Sequence, residues 1–421
     1  MKHLSSDVLV IGSGPAGLAA ACQARQDGAE QVLVIERNNE MGGILPQCIH
    51  NGFGVRVFES DLTGPEYAGR WIQRAREQGI TFLRNTMVLE IDMPLGVVAT
   101  NSELGLIKIK TKALVLAMGC RERPRGALAI PGSRPAGVYT AGTAQRLVNM
   151  EGYMPGSRFV ILGSGDIGMI MARRLTIEGA QVVSMLEILP YISGLRRNLV
   201  QCLHDFDIPL SLRTTVTEVR GRGRVESVVV SQVDEHWQVV PGTQRELACD
   251  TLLLSASLVL KSALSRVAGV AIDPVTGGPY VDERYATSIP GIYAAGNVVH
   301  VYDIVDDVTE SALRAGHYAA SYAQHGAPGL SRAIPIVAGE NVHHIVPHTI
   351  HRELLDGRPF LQFRVRRPIE APVHAQVRIG DEVLVSKRLR YVRPSEMIAL
   401  ELQPALAPRL AQAEALQVVV E

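Results

Sequence analysis

Apolar runs followed by glycine-rich turns recur along the chain and predict buried parallel strands. The first run, Val8-Leu9-Val10-Ile11, leads into Gly12-Ser13-Gly14-Pro15-Ala16-Gly17, and a helical pattern then continues to about Gln26. A second apolar run over 32–35 ends on Glu36. Continuous apolar runs are typical of strands that are buried on both faces, so this order predicts a βαβ unit.

The turn and the acid have the residue types that a dinucleotide needs. Gly12 allows the tight turn out of the strand, Gly14 lets the backbone approach a pyrophosphate, and Gly17 lets helix and strand pack closely. The N-terminus of the helix offers free N–H groups and a partial positive charge to phosphates. Glu36 can accept hydrogen bonds from a ribose diol. The stretch 7–36 therefore predicts a dinucleotide-binding unit.

The same pattern returns later in the chain. A strand over 158–162 precedes Gly163-Ser164-Gly165-Asp166-Ile167-Gly168, and a helix over 169–178 precedes a strand that ends on Glu187. The last glycine and the acid are 19 residues apart in both copies (36 minus 17, and 187 minus 168). Two matches at one spacing predict a second dinucleotide-binding unit.

The remaining pattern predicts further strands and helices between and after these units. Up to residue 153 the stretch after Gly119 has the glycine, proline and charge content of a linker. A short strand leads to Gly296-Asn297. Helices are predicted over 64–78 and about 309–324, short strands over 81–117, and period-two strands over 360–365, 373–379, 382–389 and 397–402.

Composition narrows the function classes. Lys plus Arg and Asp plus Glu both number 42, and aromatic residues make up 5% of the chain, which disfavours binding to nucleic acids or anionic membranes. We expect neither a transmembrane segment nor a signal peptide, because no apolar run is long enough to span a bilayer and the first one leads directly into the glycine turn. The cysteines are scattered without metal-like spacing and indicate a reducing, cytoplasmic location. They are Cys22, Cys48, Cys120, Cys202 and Cys249.

Five segments in this order resemble the flavoproteins with two dinucleotide-binding domains, a group that includes glutathione reductase and NADH oxidase. The segments are the two glycine turns, the pair Gly42-Gly43, the strand ending at Gly119, and Gly296-Asn297, and the resemblance covers about residues 5–325. It implies that FAD binds the first unit and a nicotinamide nucleotide the second. The implied FAD contacts are Gly12, Gly14, Pro15, Ala16, Gly17, Glu36, Arg37, Gly42, Gly43, Ala117, Gly119, Gly296 and Asn297. The implied NAD contacts are Gly163, Gly165, Asp166, Gly168 and Glu187.

The resemblance also implies the fold. We expect an α/β protein with two Rossmann-like (three-layer ββα) domains, the second inserted into the first, plus a small β-rich C-terminal domain. The expected boundaries are 1–145 with 271–328 for the FAD-binding domain, 146–270 for the NAD-binding domain and 329–421 for the C-terminal domain.

A narrower resemblance rests on three stretches. Gly42 to Gly54, the turn Gly163 to Gly168, and Ala295 to Asp306 are similar to the flavin subunits of proline, opine and cyanide-forming amine dehydrogenases. Such subunits are commonly paired with a second flavoprotein dehydrogenase. The resemblance therefore implies that this chain exchanges electrons with a partner flavoprotein dehydrogenase.

Several positions depart from the family pattern or leave alternatives open. Disulfide reductases have two cysteines after the glycine pair, whereas this loop contains Cys48 alone, so a dithiol relay within it is excluded. Cys48 is either a redox centre beside the flavin or a packed side chain, and His50 either moves a proton or only hydrogen-bonds within its loop. In Asn297 an amide replaces the acid of the family.

Four histidines close together raise the question of a metal. His343, His344, His348 and His351 lie on what the nearby Pro347 suggests is a loop, but no acid or cysteine completes a ligand set. We therefore expect no metal site.

Two acids in the second unit have opposite implications for nucleotide binding. Glu187 favours NAD over NADP because a carboxylate repels a 2′-phosphate. Asp166 stands where a pyrophosphate would lie, so it either repels that group or caps the helix. The main prediction is an FAD-dependent oxidoreductase that transfers a hydride between NAD(H) and FAD. The alternatives are an electron-transfer subunit with a silent NAD site and an NADH-dependent peroxide or oxygen reductase that uses Cys48.

Overall fold

The computed structural model describes residues 1–92 and 94–421, which form two compact units. The first unit comprises Met1–Cys120 with Leu260–Glu421, and the second comprises Arg121–Val259. The chain therefore leaves the first unit, builds the second and returns. The three domain boundaries inferred from the sequence stay predictions, because residues 329–421 have a hydrophobic cluster of their own but belong to the first unit.

The first half of the first unit contains both helices and strands. Its helices are α1 (Pro15–Gln26) and α2 (Gly64–Glu77). Its strands are β1 (Lys2–Ile11), β2 (Val32–Ile35), β3 (Asn51–Phe53), β4 (Leu62–Thr63), β5 (Thr81–Leu83), β6 (Thr86–Asp92), β7 (Gly96–Asn101) and β8 (Gly105–Leu116). The predicted helix over 64–78 is confirmed, and it starts with a capping box between Thr63 and Glu66.

Along the chain, the second unit begins at the short strand β9 (Cys120–Glu122) and ends at the short strand β18 (Leu258–Leu260), and these two strands pair with each other. Its helices are α3 (Arg125–Leu128), α4 (Ala141–Asn149), α5 (Asp166–Ile177) and α6 (Arg196–Asn198). Its other strands are β10 (Val138–Thr140), β11 (Arg158–Leu162), β12 (Gln181–Leu186), β13 (Leu210–Ser211), β14 (Thr214–Gly221), β15 (Val225–Gln232), β16 (Arg245–Ala248) and β17 (Thr251–Leu254).

The chain then returns to the first unit. It adds α7 (Ala263–Val267), β19 (Ile292–Ala294) and α8 (Val305–His325). The last segment consists of β20 (Ile334–Ala338), β21 (Val342–Val346), β22 (Thr349–Ile350), β23 (Phe360–Val365), β24 (Val373–Ile379), β25 (Glu382–Leu389), β26 (Ile398–Glu401), α9 (Ala407–Leu410) and β27 (Leu416–Val420). In the described part of the chain, no helix is both long and apolar enough to cross a membrane.

Parallel strands form the centre of both units. In the first unit β5, β2, β1, β8 and β19 run parallel in that order, and β7 and β6 continue the sheet antiparallel from β8. In the second unit the parallel order is β10-β17-β11-β12-β13, beside an antiparallel sheet β14-β15-β16. This arrangement confirms the predicted α/β fold class.

The period of two along β11 explains how the second unit builds its layers. Phe159 and Ile161 belong to the cluster formed with α4 and α5, whereas Val160 and Leu162 belong to the cluster formed with β14 and β15. Successive side chains of a strand point to opposite faces, so one apolar strand supplies both cores. The result is a helix layer on one face of the parallel sheet and a β layer on the other.

The C-terminal strands predicted from the alternation of apolar residues are confirmed. They form a five-stranded sheet, β22-β20-β27-β24-β25, and a three-stranded sheet, β21-β23-β26, which share one apolar cluster. Phe363 and Leu361 from one sheet and Val377 and Val418 from the other are fully buried in it.

Two local predictions were wrong, and one helix starts earlier than predicted. The stretch predicted as linker contains β10 and α4, because Ala141 and Ala144 pack into the apolar cluster beside α5 and this tertiary contact outweighs the weak local pattern. The helix predicted over about 309–324 is confirmed as α8, although it starts earlier, at Val305. His343 and His344 lie on strand β21 instead of a loop, because β21 pairs with β23.

Candidate functional site

The predicted flavin contacts lie at the carboxyl ends of β1, β8 and β19. A β-carbon built on Gly12 would lie 2.5 Å from the carbonyl oxygen of Ala117, and one built on Gly296 would lie 2.7 Å from Cβ of Ala16. Gly12 has φ +106°, which favours glycine by itself. The structure thus brings together residues that are far apart in sequence, at the edge where open α/β sheets bind their ligands.

The glycine pair after β2 joins this edge. The N–H of Gly42 donates to the carbonyl of Ser13 over 2.9 Å. A β-carbon built on Gly43 would lie 2.8 Å from Cα of Gly14, so any larger side chain would displace the turn. The two backbone segments therefore pack directly on each other at this edge, and only glycine fits at the point of contact.

The first turn of α1 is chemically suited to a phosphate. It consists of Pro15, Ala16, Gly17 and Leu18, all uncharged, and its N-cap is Gly14. A helix start leaves backbone N–H groups without intrahelical partners, and the helix dipole favours an anion there. This helix start fits the pyrophosphate of FAD.

Glu36 is buried and tied to the turn. Its Oε2 accepts hydrogen bonds from the N–H of Ser13 over 3.0 Å and from the Ser13 hydroxyl over 2.8 Å. Its Oε1 accepts from the N–H of Asn38 over 2.9 Å. Within the described residues Oε1 accepts this one bond, so it has a lone pair for a ribose hydroxyl. Arg37 is exposed beside it. The sequence reasoning missed Ser13, whose signal was the identical serine in the second turn.

The amide of Asn297 is already used within the fold. Its Oδ1 accepts from the N–H of Tyr302 over 3.1 Å, and its Nδ2 lies 3.9 Å from Sγ of Cys120. The N–H of the preceding Gly296 donates to the hydroxyl of Ser311 over 3.3 Å. Asn297 therefore fixes the turn after β19, and its contact with a cofactor stays a prediction. Gly119 follows β8 with φ +65°.

Cys48 and His50 each find a partner in their own loop. The Cys48 thiol donates to the carbonyl of Ile44 over 3.4 Å, and burial raises the pKa of this thiol to about 12. Nδ1 of His50 lies 2.9 Å from the carbonyl oxygen of Asn51, and its ring lies 5.1 Å from that of Phe53. A protonated thiol is a poor nucleophile, so these surroundings favour packing over redox chemistry for Cys48.

The loop that holds these two residues is fastened to the start of α8. Arg56 forms an ion pair with Asp307 and lies 3.3 Å from a carboxylate oxygen of Glu310. The N–H of Val57 donates to Oδ1 of Asp306 over 3.1 Å. These contacts hold the loop over the N-terminus of α8.

The second unit repeats the turn and acid of the first. Oε2 of Glu187 accepts from the N–H of Ser164 over 2.9 Å and from the Ser164 hydroxyl over 2.6 Å, while Oε1 accepts from the N–H of Leu189 over 3.0 Å. Each of these residues follows its counterpart by 151 positions (164 minus 13, 187 minus 36, 189 minus 38). A β-carbon on Gly163 would lie 2.4 Å from the carbonyl oxygen of Ser255. This matches the first turn, where a β-carbon on Gly12 would collide with the carbonyl oxygen of Ala117.

A second loop lies across the first turn of α5. The Ser193 hydroxyl donates to Glu187 over 2.9 Å, and the N–H of Leu195 and the amide of Asn198 donate to Oδ1 of Asp166 over 2.8 and 2.6 Å. A β-carbon on Gly194 would lie 2.8 Å from the backbone nitrogen of Asp166. Asp166 therefore does not cap its helix, whose N-cap is Gly165. Its carboxylate holds the loop instead.

The four histidines considered for a metal are divided among different contacts. His351 Nδ1 lies 3.0 Å from Oε1 of Glu283, and His348 Nδ1 accepts from the N–H of Val281 over 3.0 Å. Within residues 1–92 and 94–421, the group with metal-like spacing is Asp282, Glu283 and His351. Asp282 in that group is paired with Arg284 over 2.5 Å, so two ion pairs account for it. The expectation of no metal stays a prediction.

Comparison with known proteins identifies the family. The model of the pyridine nucleotide-disulphide oxidoreductase family matches residues 6–320. The chain belongs to this family. Membership makes it an oxidoreductase of the class that depends on FAD and a nicotinamide nucleotide, and it confirms the resemblance inferred from the glycine turns.

Individual relatives are more distant. An opine oxidase subunit of Agrobacterium tumefaciens strain Ach5 is 27% identical over 69% of this chain and 61% of its own length. The hydrogen cyanide synthase subunit HcnB of Pseudomonas protegens is 23% identical over 71% of this chain and 65% of its own length. The chain thus spans less than two thirds of either relative. The structure of T. acidophilum thioredoxin reductase matches the fold with a TM-score of 0.63 at 21% identity, over 75% of this chain and 98% of that one.

Proposed function

We propose that this family member holds FAD at the carboxyl ends of β1, β8 and β19 and exchanges a hydride between NAD(H) and that flavin. The observation that carries the proposal is the uncharged start of α1 with its N-cap Gly14, held beside β8 by the close backbone contacts of Gly12 and Gly43. FAD supplies the hydride chemistry when bound, and the protein orients it and excludes water. Glu36 would accept a ribose hydroxyl at Oε1, and α1 would bind the pyrophosphate.

The nicotinamide nucleotide is assigned to the second unit. The turn from Gly163 to Gly168 and the carboxylate of Glu187 have the same hydrogen bonds as the first turn and Glu36. A buried carboxylate at this position would repel a 2′-phosphate, which favours NAD over NADP.

The electrons are proposed to pass to or from a second flavoprotein. Two relatives, HcnB and the opine oxidase subunit, are named as parts of larger enzymes. A partner dehydrogenase for an amine or hydroxy acid would fit this pattern. Co-expression with a candidate partner and measurement of electron transfer between the two flavins tests this part of the proposal.

The direct test is anaerobic mixing of the FAD-loaded chain with NADH while flavin absorbance is followed. Rapid bleaching is the expected result, and the Gly163→Val variant is the matched control because it alters the second turn alone. A wild-type protein that binds FAD and stays yellow would contradict hydride transfer from NADH. A protein that binds no FAD at all would contradict the assignment of the first unit.

One observation favours a second candidate function, an electron-transfer subunit with a silent NAD site. The segment 193–195 lies across the first turn of α5, and the carboxylate of Asp166 stands in that turn. A pyrophosphate would have to displace the segment and approach a negative charge. This candidate predicts FAD binding without bleaching by NADH, together with bleaching by substrate when the partner dehydrogenase is present.

The peroxide reductase alternative finds no such support. Its chemistry needs a thiolate at Cys48, and burial holds the pKa of this thiol at about 12. We therefore do not propose it.

A further inference from the structure

Three histidines from distant parts of the chain meet beside the turn that follows β19. His300 lies three residues after Asn297, whereas His343 and His344 lie on β21. The rings of His300 and His344 are 5.7 Å apart between centroids, and the Nδ1 atoms of His343 and His344 are 3.0 Å apart. We refer to His300, His344 and His343 as the histidine chain.

The inner members of the histidine chain have nitrogens without partners. His300 is 1% exposed, and neither of its ring nitrogens has a hydrogen-bond partner among the residues that the structure describes. The same holds for Nε2 of His344. A buried polar atom without a partner costs about 1–3 kcal/mol, so such a site attracts water. With N···O distances of about 2.9 Å, one water molecule can bridge two rings at this separation.

The surroundings of both inner imidazoles favour the neutral form. Burial is the main reason that the pKa of His300 lies well below its ordinary value, and His344, Arg364 and His348 lower it further. For His344, burial together with His343, Arg364 and His348 lowers the pKa to about 4, although Asp273 opposes the shift. A neutral imidazole has one donor and one acceptor nitrogen, so it can receive a proton at one and release another.

The histidine chain connects the predicted flavin edge with solvent. At its inner end the ring of His300 packs 4.1 Å from that of Tyr302, whose N–H donates to Oδ1 of Asn297. At its outer end His343 is exposed. Between these ends lies a run of imidazoles within the first unit.

We propose that the histidine chain carries protons between the flavin site and solvent. The inference rests on the proposed function, because it takes FAD to lie at the turn after β19. When ferricyanide oxidises the reduced flavin, two ferricyanide ions each take one electron. An N–H bond of the reduced flavin breaks, and its proton passes through His300 and His344 to His343 and then to water. No catalytic contact between these histidines and the flavin is required, since water can join the path at either end.

The test records flavin oxidation and proton release in the same experiment with two separate signals. The FAD-loaded chain is photoreduced without oxygen and mixed with ferricyanide in weak buffer, and flavin absorbance and a pH-indicator dye are recorded together. In the wild type, we expect protons to appear in solution as fast as the flavin is oxidised. In His300→Phe, which keeps an aromatic ring and removes both nitrogens, we expect flavin oxidation and proton release to slow together by at least about tenfold, because oxidised flavin cannot keep the proton. His374→Gln is the control, because His374 is exposed on β24 and remote in sequence from the histidine chain.

The possible outcomes distinguish failure of the proton path from failure of the proposed function. Wild-type rates of flavin oxidation and proton release in His300→Phe, with normal FAD content, would overturn the proposal. If this variant fails to fold, His343→Gln at the exposed end replaces it. Slower flavin oxidation that added imidazole restores would support the path, whereas wild-type rates would refute it. In the flavin-free protein, ¹⁵N NMR of labelled histidines must show a neutral His300 at pH 7. A wild type that binds no FAD would instead contradict the proposed function.

Discussion

The two βαβ units share one framework and differ at the first turn of their helices. Ser13, Glu36 and Asn38 in the first unit have the same hydrogen bonds as Ser164, Glu187 and Leu189 in the second. The first helix starts with Pro15, and the second starts with Asp166 under the segment 193–195. A shared geometry of turn and acid therefore does not settle whether a site accepts a pyrophosphate. We propose that the charge and the cover of the helix start decide whether a pyrophosphate binds.

The largest expected effect comes from filling the first turn. Gly12→Val adds a side chain to a residue with φ +106° whose β-carbon would lie 2.5 Å from a backbone oxygen. We expect complete loss of bound FAD, measured by absorbance of the purified protein. Gly79→Ala is the control, since Gly79 has φ +73° but open space around it, and it should cost about 1 kcal/mol and keep FAD. Retention of FAD by Gly12→Val would contradict the assigned site.

A charge placed at the start of α1 tests whether the difference between Pro15 and Asp166 controls nucleotide binding. Pro15→Asp places a carboxylate beside the predicted pyrophosphate, and we expect FAD to bind about 10- to 100-fold more weakly, or ~1.4–2.8 kcal/mol. An acid at a helix start stabilises the helix, so the melting temperature of the flavin-free protein should not fall. Unchanged FAD affinity by titration calorimetry would show that charge at this position is irrelevant.

The reciprocal change in the second unit is Asp166→Asn. Its Oδ1 can still accept from Leu195 and Asn198, but the charge is gone. We expect NADH to bind about tenfold more tightly and FAD content to stay constant. If NADH affinity does not rise, the segment 193–195 and not the charge limits access, and the Ser193→Ala variant would then be the next measurement.

Substitution of Glu36 and substitution of Glu187 should each weaken the binding of a different nucleotide. In Glu36→Gln an N–H donor replaces an acceptor oxygen facing Ser13 or Asn38, and we expect FAD affinity to fall about tenfold. Glu187→Gln should leave FAD untouched and raise the KM for NADH by a similar factor. A loss of FAD in both variants would mean that the substitutions act through folding, which thermal unfolding would show.

The smallest effect is expected at Cys48, whose counterpart 151 residues later is Leu199. Because burial raises the pKa of the Cys48 thiol to about 12, the group stays protonated near neutral pH. The Cys48→Ser hydroxyl can still donate to the carbonyl of Ile44. We expect the flavin to bleach as in the wild type and the free energy of unfolding to differ by less than about 1 kcal/mol. Loss of peroxide consumption in this variant alone would revive the thiol mechanism.

The sequence was sufficient where local chemistry dictates structure and insufficient where distant segments meet. Glycines, strand periodicity and the acids predicted both βαβ units and four C-terminal strands. The helix α4 was missed because its buried face is built on small residues such as Ala141 and Ala144, whose role depends on α5. The position of Gly194 over Asp166 and the meeting of His300 with His344 depend on loop paths, which pairwise tertiary contacts determine.

The interrupted course of the first unit has a consequence for its synthesis. Strand β19 pairs with β8, and α8 packs on α1 so closely that a β-carbon on Gly316 would lie 2.3 Å from the carbonyl oxygen of Ala20. These partners leave the ribosome only after the whole second unit, which spans Arg121–Val259, has emerged. The second unit can therefore fold while the first still exposes one edge of its sheet and the apolar face of α1. During translation, the edge predicted to bind the flavin is therefore completed only after the second unit has been made, although its first glycine turn is made at the start of the chain.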